Sequence, residues 1–479
     1  MTIADARKKW LALYVLALGD LLIVLDISIV NVALPSIRQD LGFSEASLAW
    51  VINAYTLTFG GFMLLAGRLG DLFGHRRIFL SGVGLFTVAS LACGLATSQE
   101  ILVGARAIQG IGGAIVAAVA LSLIMTLFTE PAERAKAMGV IGFVAAGGGS
   151  IGVLAGGVLT DILNWHWIFL VNLPIGAAVI AFCLMLLPRD SGERGRTSLD
   201  VTGAVTVTAS LMLAVYAIVN GNEQGWTSGR TLGLLAVAAA GLALFVLLES
   251  RVSSPLMPLG LFKLRSVASS NVVGILWSAA MFAMFFLSAL YLQLVLGYSP
   301  LEVGLAFLPA NLIMGALSLG LSAKLVMRFG VRLPLVAGMA LVALGLALFA
   351  RVPVEGSFVV DVLPSMIILG VGIGMAMNPL LLGAMSDVEP QDAGVASGVV
   401  NTSFMLGGAL GLAVLASVAA AQTGDSRTAE ALVDGYQAAF VIGVVFALAA
   451  GAVAAVFFRG GPVPAADPHA FGEPAMEVN

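Results

Sequence analysis

Residues 130–152 read EPAERAKAMGVIGFVAAGGGSIG, and residues 389–411 read EPQDAGVASGVVNTSFMLGGALG. At an offset of 259, Glu130–Pro131 falls on Glu389–Pro390, Gly139 on Gly398, Gly148–Gly149 on Gly407–Gly408 and Gly152 on Gly411. A second echo lies upstream in each copy. Residues 67–80, GRLGDLFGHRRIFL, resemble 323–336, AKLVMRFGVRLPLV, with Arg68 on Lys324, Gly74 on Gly330 and Arg76 on Arg332. The chain reads as two related halves, roughly 10–187 and 267–458, with an insert between them.

Both halves are strongly apolar. Of 479 residues, 59% are hydrophobic and 10% charged, against about 45–50% and 25% in ordinary soluble chains. Mean hydropathy is +1.03. So few charges cannot cover a soluble surface of this size, which excludes an ordinary cytosolic enzyme. A net charge of −4 with no basic block gives no electrostatic footing for nucleic acid. The 57 glycines suit helices packed closely in lipid. Cys93 and Cys183 both lie in apolar runs and read as small core residues, not a disulfide.

A bilayer crossing takes about 20 mostly apolar residues. Fourteen such runs are legible: 10–31, 47–66, 78–97, 101–127, 137–160, 166–187, 199–220, 231–249, 267–296, 303–323, 333–351, 361–385, 393–421 and 437–458. The expected fold is an all-α polytopic membrane protein with fourteen transmembrane helices. Residues 1–190 form an N-terminal six-helix half, 191–262 a two-helix insert with its linkers, 263–460 a C-terminal six-helix half, and 461–479 a tail. Lys and Arg are distributed unevenly over the alternating loops, eighteen on the side of the termini and four on the other. By the positive-inside rule both termini are cytoplasmic. Matched six-helix halves with a site at their interface are a transporter architecture.

Four motifs carry the chemistry. The first terminus-side loop runs Gly67-Arg68-Leu69-Gly70-Asp71-Leu72-Phe73-Gly74-His75-Arg76-Arg77. Gly70 and Gly74 permit a tight turn, and Asp71 can form charge-assisted bonds with the arginines. The first span holds Leu25-Asp26-Ile27-Ser28-Ile29-Val30-Asn31-Val32-Ala33-Leu34-Pro35, and a later stretch reads Trp165-His166-Trp167-Ile168-Phe169-Leu170-Val171-Asn172-Leu173-Pro174. Span four carries Arg106, Gln109, Gly110, Gly112 and Gly113, and span five Gly147, Gly148, Gly149, Gly152, Gly156 and Gly157. A lone arginine in lipid is costly and marks function. Its counterpart in the second half is apolar, at or near Met366.

Together these motifs resemble the fourteen-span drug:proton antiporter family of the major facilitator superfamily, over nearly the whole chain. The resemblance implies a conformational latch at Gly67, Arg68, Gly70, Asp71, Gly74, Arg76 and Arg77. It implies an arginine motif associated with proton transfer at Arg106, and an antiporter glycine motif at Gly148, Gly152, Gly156 and Gly157. Two positions depart from the pattern: Val153 stands where the family has proline, and His166 where it has arginine.

A proton-coupled carrier needs an ionisable group that can shed its charge, and burial in lipid disfavours a charged carboxylate. Among the acids, Asp20 and Asp26 lie well inside a span, both in the first. Six residues at 100° per residue put them on different helix faces. Asp26 has the family's position and is the expected proton site, with a hydrogen-bond anchor as the alternative. Asp20 reads as a second proton site, a cation contact or a buried neutral acid. Arg106 cannot usefully deprotonate, so its expected role is to act on a nearby carboxylate or to bind polar neighbours. Candidate substrate contacts are Asn31, Asn53, Tyr55, Gln109, Trp277, Phe285, Tyr291, Gln293, Asn311 and Asn378, each also readable as a packing residue.

No phosphate loop of the G-x-x-x-x-G-K-[ST] kind is present, and the three histidines have no metal-ligand spacing. The expectation is a carrier with no cofactor, driven by the proton gradient. Its partners are lipophilic small molecules, protons and the lipid bilayer, not nucleic acid. It exports lipophilic, cationic drugs or dyes across a bacterial-type inner membrane. An endogenous secondary metabolite as cargo, proton-coupled uptake of a nutrient, and a transport-dead sensor on the same fold are the alternatives. A membrane enzyme ranks below them, having no catalytic constellation. The oligomeric state is not set by the sequence, and a monomer is compatible with it.

Overall fold

Inside lipid a backbone must satisfy its own polar groups, and the helix does so within one segment. The computed structural model describes residues 3–128, 130–187, 200–252, 255–388, 393–424, 426 and 428–458, and among these it is helical with no strand. The main helices are α1 (Ile3–Leu41), α2 (Trp50–Phe73), α3 (His75–Gly94), α4 (Gln99–Leu127), α5 (Pro131–Ile162), α6 (Asn172–Leu186), α7 (Val201–Val219) and α8 (Gly229–Glu249). They continue with α9 (Arg265–Leu290), α10 (Pro300–Ala316), α11 (Arg332–Phe349), α12 (Leu363–Met385), α13 (Ala393–Thr423) and α14 (Ala429–Phe457). Starts are set by side-chain caps. Ser98 opens α4, Ser228 opens α8, Thr428 opens α14, and Ser299 with Glu302 and Pro300 forms a capping box on α10.

Among the described residues, twelve helical segments are long and apolar enough to cross a membrane. At the other two expected places, α5 and α10, the described apolar runs are the shorter Gly147–Ile162 and Pro300–Ala316. For those two the reading of a crossing rests on the sequence. Several helices exceed their apolar limits because the charged turns at the membrane edge stay helical. Thus α1 continues past Pro35 to Leu41, and α10 runs on through a π turn (Leu317–Leu321) into Ser322–Phe329. A π turn frees a carbonyl from the helical ladder. Asn378 of α12 donates to the Ser318 carbonyl within that turn at 2.7 Å.

Packing repeats between the halves. In the first, α1 packs on α5 and α6, α2 and α3 on α4, and α3 on α6. In the second, α9 packs on α13 and α14, α10 and α11 on α12, and α11 on α14. The repeated glycines lie at equivalent seams. Gly152 of α5 meets Leu25 and Ser28 of α1, and Gly411 of α13 meets Ala279 of α9. Gly74 and Gly330 end equivalent helices with φ of +98° and +76°. The Glu389–Pro390 part of the repeat lies outside the described residues.

The halves meet along α2–α13 and α5–α10. The insert attaches through α7, which packs on both α2 and α13, while α8 lies against α7. On the side away from the termini, Asn222 of the insert donates to the Ser417 carbonyl of α13 at 2.7 Å.

Candidate functional site

Glycines bring the helices of the first half within reach of Arg106. A Cβ at Gly112 of α4 would lie 2.7 Å from the Phe86 amide nitrogen of α3, and one at Gly110 would overlap the Tyr55 carbonyl of α2. At that separation the Arg106 Nε donates to the Val51 carbonyl of α2 at 2.9 Å. Its Nη1 donates to Asp26 Oδ2 of α1 at 2.5 Å and to Gln109 Oε1 at 2.7 Å. The Tyr55 ring lies 4.4 Å from the guanidinium carbon, and the Phe169 ring 5.6 Å.

The other side of the carboxylate is equally engaged. Asp26 Oδ1 accepts from Gln109 Nε2 at 2.7 Å and from Asn172 Nδ2 of α6 at 3.0 Å. Ser90 of α3 closes the ring, accepting from Gln109 at 2.8 Å and from Asn172 at 3.3 Å. Every partner donates to Asp26, the pattern that suits an ionised carboxylate. Asp26 is 0% exposed and Arg106 1%. This network joins five helices of the first half; among the described residues the second half has no equivalent, and Met366 there is buried in an apolar core.

Asp20 lies in a different environment. It falls on a half-buried stripe of α1 with Val24, Ile27 and Asn31, at helical spacing, while the intervening residues Leu22, Ile23, Leu25 and Asp26 are fully buried. Among the described residues it has no hydrogen-bond or ion-pair partner. The structure therefore brings Asp26 and Arg106 together and keeps Asp20 apart from them.

The glycines of α5 serve two faces. Gly148, Gly152 and Gly156 press on α1, and a Cβ at Gly156 would lie 2.7 Å from the Ile29 carbonyl. Gly157 faces the second half, where a Cβ would lie 2.7 Å from the Pro300 carbonyl and 2.8 Å from Leu301 Cα. Val153 sits in the same seam, its carbonyl 2.9 Å from a Cβ at Gly304, and α5 runs unbroken through it. His166 stacks on Trp165, ring centres 3.8 Å apart.

In the latch loop, Gly74 takes the left-handed turn and its N–H donates to the Gly70 carbonyl at 3.0 Å. Arg76 donates to the Leu184 carbonyl near the end of α6 at 2.7 Å. Gly67 has open space around it. The Asp71 side chain lies outside the described residues. Lys9 and Glu133 join the starts of α1 and α5 at 2.5 Å.

The candidate substrate contacts divide by environment. Gln293 lines a cavity of about 1120 Å3 on the side away from the termini, with Arg38, Phe43, Asn222 and Tyr298. Its Nε2 also donates to the Val32 carbonyl of α1 at 2.7 Å, a bond between the halves. Asn31 and Asn378 are half-buried and bond to helix carbonyls, and Phe285 packs on Phe307. Tyr55 and Gln109 belong to the Arg106 network instead of a cavity wall. Tyr291 donates to the Pro353 carbonyl at 2.8 Å, and Asn53, Trp277 and Asn311 are buried. Cys93 and Cys183 are buried thiols and form no disulfide. The sequence reading missed Asn172, Ser90 and the Val51 carbonyl. Asn172 stood inside a quoted motif, and nothing marked Ser90.

Two helical halves with the same internal packing, joined along two seams and with a buried ion pair in the first, define a multi-pass membrane transporter built on a repeat. Residues 16–412 match the Major Facilitator Superfamily, and the chain belongs to it. It is 41% identical to a puromycin resistance protein of Streptomyces alboniger, over 92% of this chain and 89% of that one. It is 40% identical to a cephamycin export protein of Amycolatopsis lactamdurans, over 91% and 90%. In fold it is similar to the crystal structure of the nucleoside transporter NupG, with a TM-score of 0.68 at 14% identity, covering 94% of this chain and all of that one.

Proposed function

We propose that this protein exports lipophilic, cationic drugs or dyes in exchange for protons, by alternating access between halves 1–190 and 263–460. The observation that carries the proposal is the half-buried stripe of α1 with the unpartnered Asp20 at one end and Asn31 at the other. A carboxylate without a partner on such a face can take a cation or a proton, and competition for it links the two fluxes. Asp26, held by Arg106, is the proposed proton site, reached when the halves move and the network opens. The excess of Lys and Arg on the terminus side supports cytoplasmic termini, in a bacterial-type inner membrane. No cofactor enters this scheme.

The names of the relatives support drug export as the general role. The relative named for cephamycin export favours a second reading, in which the cargo is an endogenous secondary metabolite.

The test uses proteoliposomes with an acidic lumen. Addition of ethidium should release protons in the wild type and not in Asp26→Asn. Dye binding without proton movement in the wild type would remove the antiport assignment, and neutral and anionic metabolites would then be tried as cargo.

A further inference from the structure

The insert carries a second pair of buried acidic side chains, far from Asp26. Asp200 precedes α7 and Glu249 ends α8; they are 6% and 3% exposed. One oxygen of each is accounted for. Asp200 Oδ1 accepts from the Gly203 N–H at 2.7 Å, capping α7, and Glu249 Oε2 accepts from the Met257 N–H at 3.0 Å. The remaining oxygens, Asp200 Oδ2 and Glu249 Oε1, are buried and receive no donor. They converge beside Gly203, where a Cβ would lie 2.6 Å from one and 2.7 Å from the other. The two carboxyl groups are in hydrogen-bonding reach of each other.

Two carboxylates facing each other out of water cannot both hold a full charge at low cost, because burial and mutual repulsion act in the same direction. Among the described residues the surroundings bring no relief; Arg189, Arg194 and Arg196 lie outside them. One turn from Asp200 along α7, Ala204 clusters with Leu256 of the connector and with Phe62, Leu64 and Leu65 of α2, all apolar. Asp200 is the charged side chain that acts on Glu249. The cations of the neighbouring elements, Arg68, Arg230, Arg251 and Lys263, make no ion pair with either group among the described residues. Arg265 is engaged with the Val456 carbonyl at 2.8 Å.

We propose that Asp200 and Glu249 are a proton-binding site in their own right, holding one proton between Glu249 Oε1 and Asp200 Oδ2. The helix ends decide which residue carries it. Asp200 sits at the N-terminus of α7, where a negative charge is favoured, and Glu249 at the C-terminus of α8, where it is not. Glu249 is therefore the neutral acid that donates, and Asp200 the carboxylate that accepts, a charge-assisted bond. Because the other oxygen of Glu249 holds Met257, this proton ties both insert helices to the connector that enters α9. On the orientation proposed above, the site faces the cytoplasmic end and senses its pH.

Difference infrared spectroscopy on the full-length protein in liposomes tests this. A protonated-carboxyl band should persist at neutral pH, vanish in Glu249→Gln and survive in Asp20→Asn. Gln keeps a donor towards Asp200, so Glu249→Gln should unfold at the wild-type temperature, whereas Glu249→Ala should unfold earlier. Wild-type stability should fall as rising pH removes the proton, and Glu249→Gln should be flat over that range. The proposal is overturned if the wild type shows no such band or if Glu249→Gln is as damaged as Glu249→Ala. It is also overturned if millimolar Mg2+ or Mn2+ stabilises the wild type and abolishes the band, which would make the pair a divalent-cation site.

Discussion

Asp26 and Arg106 meet at 2.5 Å in a part of the first half that solvent does not reach. Each has lost its hydration, and each is compensated by the other together with Gln109, Asn172 and the Val51 carbonyl. Breaking such a pair from one side leaves an uncompensated buried charge, at a cost of about 3–5 kcal/mol. Replacing both sides with neutral groups removes that penalty.

The first prediction is a double-mutant cycle. Arg106→Gln should lower stability by about 3–5 kcal/mol. Asp26→Asn should lower it by a similar amount, because Arg106 is left uncompensated and the new amide Nδ2 turns a donor towards a donor. The double variant should recover most of the loss in thermal unfolding. Proton-coupled flux should stay absent in all three. Recovery of flux together with stability in the double variant would show that the pair is a structural anchor only.

A different outcome is expected for Asp20. It has no partner to lose, so Asp20→Asn should leave stability within about 0.5 kcal/mol of wild type. If it is the cation contact, uptake of ethidium into inverted vesicles should fall about tenfold, equivalent to ~1.4 kcal/mol. Transport of a neutral lipophilic compound should change little. An equal loss for both compounds would assign Asp20 to proton coupling in general.

The two acids were legible because a charge inside an apolar run is conspicuous, and 600° of helix rotation already separated their faces. The fold was legible for a related reason. Close approaches and left-handed turns demand glycine, so Gly152 with Gly411 and Gly74 with Gly330 are visible as a repeat of residue types. The partners of Asp26 were not. Ser90 and Asn172 are ordinary small polar residues in lipid, and their meeting depends on the rotation of three separate helices. The same limit applies to Tyr55 and Tyr291. Helices that are apolar all round show no preferred face, so the sequence alone does not separate a cavity wall from the inside of one half.

The glycines of the two terminus-side loops give a test of the repeat. Gly74 (φ 98°, ψ 130°) and Gly330 (φ 76°, ψ −177°) lie in backbone regions that glycine alone readily adopts, which costs a residue with a side chain about 1–3 kcal/mol. Gly74→Ala and Gly330→Ala should each lower stability by about that amount. Gly67 stands in a helix with nothing near its Cβ position, and Gly67→Ala should be neutral or stabilising by up to ~1 kcal/mol. Thermal unfolding of the three variants gives the comparison. Unchanged transport in Gly67→Ala would separate this position from the proposed latch.

Gly156 and Gly157 are neighbours in sequence and serve different seams. An added methyl at Gly156 presses on the Ile29 carbonyl within the first half, while one at Gly157 presses on Pro300 and Leu301 of the second. Overpacking of this kind costs about 1–3 kcal/mol, and the location decides how the strain is released. Strain at Gly156 has no exit except loss of α1–α5 packing, so Gly156→Ala should lower unfolding temperature. At Gly157 the halves can separate, so Gly157→Ala should shift the conformational balance with little effect on unfolding. Spin labels at Ser36 of the first half and Ser426 of the second, which both line the cavity, should report a longer distance in Gly157→Ala than in the wild type. The same distance in both, with a lowered unfolding temperature in Gly157→Ala, would mean that the α5–α10 seam is static packing and that the moving contact lies along α2 and α13.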